Sequence, residues 1–268
     1  MGDKGRSVDL LGIKPVSKAV EIATKGTVDG LGSFLSRICL PAAEEFGLLL
    51  RDRISSWRQD QAASIIRKAE AKLAKRMNAE RLHAHPRLVM LALEQGSWND
   101  ADEVQEAWAG LLASACDGSG QSQENLIFMN LLAQMTAMEV HLLNYMCFNT
   151  KKFQDELGFV VSNEFKINIS ELCKIAGTDD IISLDIQLDH LRKIGLVEEG
   201  GGFWVGSNIV NIEPSALALN LYVRAQGSIA PAVEYFGPLE PLPLHMRPSF
   251  GQMLDNDTIN PSDEAADL

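Results

Sequence analysis

The side chains of this 268-residue chain that could do chemistry are five histidines, four cysteines and several paired carboxylates. His83 and His85 stand two apart beside Pro86. A metal or nuclease centre could use that spacing only with carboxylate partners, whose positions the sequence does not reveal. His141 falls on an apolar helical stretch and reads as a core or boundary residue with a satisfied ring. Cys39, Cys116, Cys147 and Cys173 are far apart in apolar contexts. With no C-x-x-C pair and no histidine at ligand spacing they read as buried, reduced thiols, not as a zinc set. Glu44-Glu45 and Asp102-Glu103-x-x-Glu106 sit where helices begin, and acids there answer the positive end of the helix dipole. No G-x-G-x-x-G, Walker loop, H-E-x-x-H or G-x-S-x-G occurs. The expectation is a protein that is not an enzyme, with no cofactor, no metal and no identifiable small-molecule substrate.

The elements that would carry these residues are mostly helices. Val20, Thr24, Val28, Leu31, Phe34, Leu35 and Ile38 recur at helical spacing, weakened by Gly26, Gly30 and Gly32. Pro41 suits the first turn of a second helix. Its apolar stripe, Phe46 through Trp57 to Leu73, predicts a single helix of about thirty residues with Arg51, Arg53, Arg58, Arg67 and Lys68 around it. Pro86 opens another helix, with His85 pushed into extended backbone before it. Val104, Trp108, Leu111 and Leu112 line the next, which ends at Asp117-Gly118-Ser119-Gly120, the cheapest hinge in the chain. Thr136-x-x-Glu139 fits a capping box that starts one more.

Farther on, a short helix over 170–176 ends at Gly177. Ser183 caps a second, with Leu184, Ile186, Leu188, Leu191 and Ile194 inside. Leu196–Glu199 reads as a strand, Gly200–Gly202 as a turn and Phe203–Val205 as the returning strand. LDHLRKIGLVEE resembles the recognition helix and first wing strand of winged-helix proteins. The fold class expected is mainly α: a flexible N-terminus over 1–14, a helical domain over 15–161, a winged-helix-like α+β domain over 162–227, and a Pro-rich, acidic, partly disordered tail over 228–268. A winged helix suggests DNA, but here the charge disagrees. Asp179, Asp180, Asp185 and Asp189 face only Arg192 and Lys193, Glu198 and Glu199 follow, and the expected wing tip has no cation for a phosphate. The electrostatics therefore argue against DNA as a partner.

Net charge is −12, divided unevenly. Residues 1–90 hold 16 Lys and Arg against 10 Asp and Glu, and residues 91–268 hold 8 against 26. The basic part could meet an acidic partner, an anionic membrane surface or, within or between chains, the acidic part. No secretory signal, no myristoylation spacing and no apolar run of about 18 residues is visible. A cytoplasmic location follows, with peripheral attachment to an inner membrane as its variant.

PAAEEFGLLLRDRISSWR and HPRLVMLALEQGSWNDADEVQEAWAGLLASACD resemble the abortive infection alpha family, a bacterial domain linked to defence against phage. The residues that carry the likeness are Pro41, Ala42, Glu45 and Gly47, then Arg53, Trp57 and Arg58, then Glu103, Val104, Gln105, Trp108, Ala109, Leu111, Leu112 and Ala113. The likeness extends over most of 30–225. It implies a role in anti-phage defence and no active site. Three readings follow from it and from the charge pattern. The first is a non-enzymatic defence component acting by protein–protein contact, with a partner or as a homo-oligomer. The second is a membrane-associating effector working through the segment 18–50 and the basic helix after it. The third is a winged-helix transcription regulator. The residues singled out for contact are Phe34, Arg51, Arg53, Arg58, Asp185 and Asp189.

Overall fold

The structure is a computed structural model, and it describes residues 33–39, 54, 56–203 and 206–243. The protein is mainly α, with an α+β part in its C-terminal half. It divides into two compact units, residues 1–144 with 221–229, and 145–220 with 230–268.

The first unit is helical. Helix α1 covers 33–38 of the described residues. A 3-10 turn, Ser56–Arg58, leads into α2 (Gln59–Leu73). A second turn, Ala79–Arg81, precedes α3 (Pro86–Gly96), α4 (Asp102–Ser114), α5 (Asn125–Leu132) and the start of α6 (Ala137–Asn149). Local chemistry sets these boundaries. His85 is extended (ψ 129°) before Pro86, and its ring accepts the Arg87 N–H. Asp102 and Glu103 occupy the first turn of α4. Thr136 and Glu139 form the capping box: the Thr136 N–H donates to Glu139 Oε2 at 2.7 Å, and the Glu139 N–H to Thr136 Oγ1 at 3.2 Å.

Trp108 lies at the centre of this unit, with Ile65, Leu88, Leu93, Leu111 and Leu112 also buried. Gly110 on α4 allows the closest approach: a Cβ there would lie 1.6 Å from the carbonyl oxygen of Ala225.

Two expectations fail in this unit. The single helix leading to Leu73 is interrupted, since Ile54 lies in a bend and Ser56–Arg58 is a 3-10 turn. The change of winding shifts the phase of the stripe, and Trp57 ends up exposed. The loop expected as a hinge is tied down. Asp117 and His83 exchange backbone hydrogen bonds of 2.7 and 2.8 Å, and the Asp117 carboxylate accepts the Ser119 N–H and hydroxyl.

The second unit holds two small sheets. Strands β1 (Lys152–Gln154) and β2 (Val160–Ser162) form an antiparallel hairpin, pairing Phe153 with Val161. Then come β3 (Lys166–Asn168), α7 (Ile169–Ala176), α8 (Ile181–Lys193), β4 (Gly202–Phe203), β5 (Ile209–Asn211), α9 (Ala216–Ala225), α10 (Ala232–Tyr235) and β6 (Glu240–Pro241). The last turns of α9 belong to the first unit. One sheet has the order β2-β1-β6, with β6 parallel to β1; the other is antiparallel, β3-β5-β4. Leu172, Leu184, Leu188, Leu191, Leu196 and Val210 are buried. Helix α7 ends at Gly177, whose φ of 68° is the left-handed conformation that only glycine adopts cheaply.

Three differences from expectation appear here. The hairpin β1–β2 lies within the stretch 15–161 expected to be a helical domain. Asp180, not Ser183, caps α8, its carboxylate accepting the Ile182 and Ser183 N–H groups at 3.0 and 3.1 Å. Leu196–Glu199 is not a strand: only Val197 pairs, in a single bridge to Pro214. The hairpin is instead β4–β5, one element later. The proline-rich segment is described as far as 243 and lies as a strap, Glu240–Pro241 running along β1 with the Leu242 N–H donating to the Gln154 carbonyl at 2.8 Å. The Pro41 helix start, residues 1–14 and the acidic end from 244 lie outside the described residues.

Candidate interaction surfaces

The contact residues expected from the sequence do not converge. Phe34 is 1% exposed and belongs to the core of its unit, so it has no surface to give to a membrane. Arg51 and Arg53 lie outside the described residues. Arg58 is 4% exposed. Its Nε and Nη2 donate to Ser97 Oγ at 3.1 and 2.7 Å, and Nη2 also donates to the Glu94 carbonyl. The guanidinium carbon stands 3.9 Å from the centre of the Trp98 ring. Arg58 thus joins the start of α2 to the end of α3. Trp98 meets Trp57 edge-on at 5.5 Å, and both indoles are more than half exposed.

The acidic residues at the start of α4 serve packing. Lys68 reaches Asp102 at 2.6 Å and Lys72 reaches Glu106 at 2.9 Å, clamping α2 to α4. Glu103 accepts from His141 Nδ1 at 2.9 Å and from Asn144 Nδ2 at 2.6 Å. Asp102, Glu103, Glu106 and Asn144 line a shallow cleft of about 370 Å³ in which each carboxylate already has a donor. His83 Nδ1 donates to the Arg37 carbonyl at 3.0 Å. Among the described residues no group of three or more His, Cys, Asp or Glu could hold a metal ion. Burial alone pushes the Cys39 thiol up to about 12, and burial pushes Cys116 to a similar value against the pull of Arg76, so both stay protonated at neutral pH.

Asp185 and Asp189 lie on the surface that the sequence reading came nearest to. Leu184, Leu188 and Leu191 turn α8 inward, and the opposite side carries Ile182, Asp185, Ile186 and Asp189. Ile182 is 74% and Ile186 60% exposed, with Ile181 half-exposed beside them. Asp189 pairs with Arg192 at 2.5 Å, and Arg192 also donates to the Gly201 carbonyl. Asp179 and Asp185 have no ion-pair partner among the described residues. Ile186, expected inside, is a correction: it lies off the line through Leu184, Leu188 and Leu191 by more than a quarter turn of helix.

Another exposed apolar side chain, Met77, carries no signal in the sequence. It is 89% exposed at the corner after α2. Asn78, at φ 57°, is the non-glycine residue that takes the left-handed conformation there and turns the chain. Lys75 and Arg81 flank the corner, both exposed, with no ion-pair partner among the described residues. Arg76 is held back by its bond to the Ala113 carbonyl at 2.9 Å.

The model of the family described as abortive infection alpha matches residues 60–228, well over half of the chain. The chain belongs to that family. In this abortive infection alpha protein the match takes in α2 through α9, and so both the α8 face and the Met77 corner. It begins just beyond Arg58, leaving the Pro41–Arg58 part of the resemblance outside. No curated protein and no solved structure matches the chain. No helix among the described residues is long and apolar enough to cross a membrane.

Proposed function

We propose that this abortive infection alpha protein serves phage defence without a reaction of its own, by binding protein through the solvent face of α8. The observation that carries the reading is exposed Ile182 and Ile186 on that face, with Asp185 beside them and Asp179 just before the helix, neither carboxylate in an ion pair among the described residues. Exposed isoleucines one turn apart favour a partner that can bury them, at roughly 1.5–3 kcal/mol for each side chain fully covered. The carboxylates select against nucleic acid, whose binding rests on cations meeting phosphates. The order β3-α7-α8-β4-β5, with β5 between β3 and β4, supports a winged helix whose would-be reading helix has become a protein-docking helix. A cytoplasmic site of action fits this reading.

The test is phage plaque counts on cells carrying the native locus with Ile182→Asp/Ile186→Asp. Loss of protection is expected, with unchanged circular dichroism and melting temperature, because both side chains are already in water. Full protection by a well-folded double variant overturns the reading.

A further inference from the structure

We infer that the protein assembles head to tail, the Met77 corner of one copy seating on the α8 face of the next. This rests on the reading of α8 as a binding surface. The occupant of that face must bring an apolar group to Ile182 and Ile186 and cations to Asp179 and Asp185. Met77 between Lys75 and Arg81 offers both. Methionine is unbranched and polarisable, so it fills an irregular apolar site at little steric cost.

Charge also decides the pairing. Two α8 faces brought together set Asp179 and Asp185 against like charges, and two Met77 corners do the same with Lys75 and Arg81, which outnumber the exposed Glu80 between them. Each surface repels its own copy and attracts the other, which is the condition for a heterologous contact. The whole chain repeats this polarity, with a basic excess before residue 91 and an acidic one after it. A heterologous contact leaves one free surface at each end, so assembly continues until a ring closes or a filament grows.

Sedimentation velocity of the full chain tests this. At low salt the mean mass is expected to rise with protein concentration, and to fall towards the monomer at about 0.5 M salt, where charges are screened within a few ångströms. Met77→Asp and Ile182→Asp/Ile186→Asp are each expected to be monomeric, with self-affinity at least about tenfold weaker. Mixed in equal amounts, the two variants retain one competent corner and one competent face between them, and should form a heterodimer and nothing larger. Lys75→Glu should weaken assembly, and Asp185→Lys in the same chain should restore part of it.

A wild-type chain that stays monomeric at every concentration overturns the inference. So does association of Met77→Asp equal to wild type, which would place α8 against α8 or another surface. If assembly fails while Ile182→Asp/Ile186→Asp still loses protection, the α8 reading survives and the self-partner falls. If wild type assembles as described but that double variant protects fully, the assembly stands and the defence reading falls.

Discussion

Asp117 shows how one side chain can replace a hinge with a fixed turn. Burial by itself would raise its pKa, but the Gly120 and Ser119 N–H groups and the Ser119 hydroxyl outweigh it and hold the carboxyl below its ordinary value. A depressed carboxyl pKa stabilises the fold above the unfolded value of about 4, and that contribution is lost as the pH falls through the folded value. Asp117→Asn should therefore cost about 1 kcal/mol at neutral pH. Urea midpoints followed downward from pH 7 should show wild type and variant converging below about pH 4. A constant gap across the range would mean that the charge contributes nothing. Arg58 is the matching case among cations. The sequence marked it for contact with a partner, and burial has turned it inward to hold Ser97 and Glu94.

At the scale of the element, Gly110 is the most constrained position on α4. Gly110→Ala would drive a methyl group into the Ala225 carbonyl and should destabilise by about 3 kcal/mol, or prevent folding. A melting temperature within a degree or two of wild type would refute that packing. What the sequence made legible at this scale was set by near neighbours. Pro86 with His85, the Thr136–Glu139 box and the Gly177 stop all depend on residues within one turn of each other. What stayed hidden depends on distant ones. Strands β1 and β2 are three residues long, too short for alternation to register, and β6 reaches β1 from about ninety residues away. Val197 is buried like a strand residue, yet its one bridge is to Pro214, which lacks an N–H to continue a ladder. On α8 the acids were legible because charge is read directly. The exposure of Ile186 needed the helical phase, and that of Met77 needed the turn at Asn78.

At the scale of the whole molecule, charge is the property that sequence and structure report alike. With a net charge of −12 and an acidic α8, the protein should not retard a DNA duplex at about 50 mM salt, where phosphate contacts are strongest. A salt-sensitive gel shift lost on Arg192→Ala would restore the regulator reading. The division of the chain carries a further consequence. Residues 221–229 complete the unit that begins at the N-terminus, and all of 145–220 lies between. A ribosome delivers the chain in order, so the residues that cover Gly110 leave it only after that whole insertion has been made. The first unit to be started closes only after most of the second has been made, and a transcript cut anywhere before codon 221 yields a helical body with one wall missing.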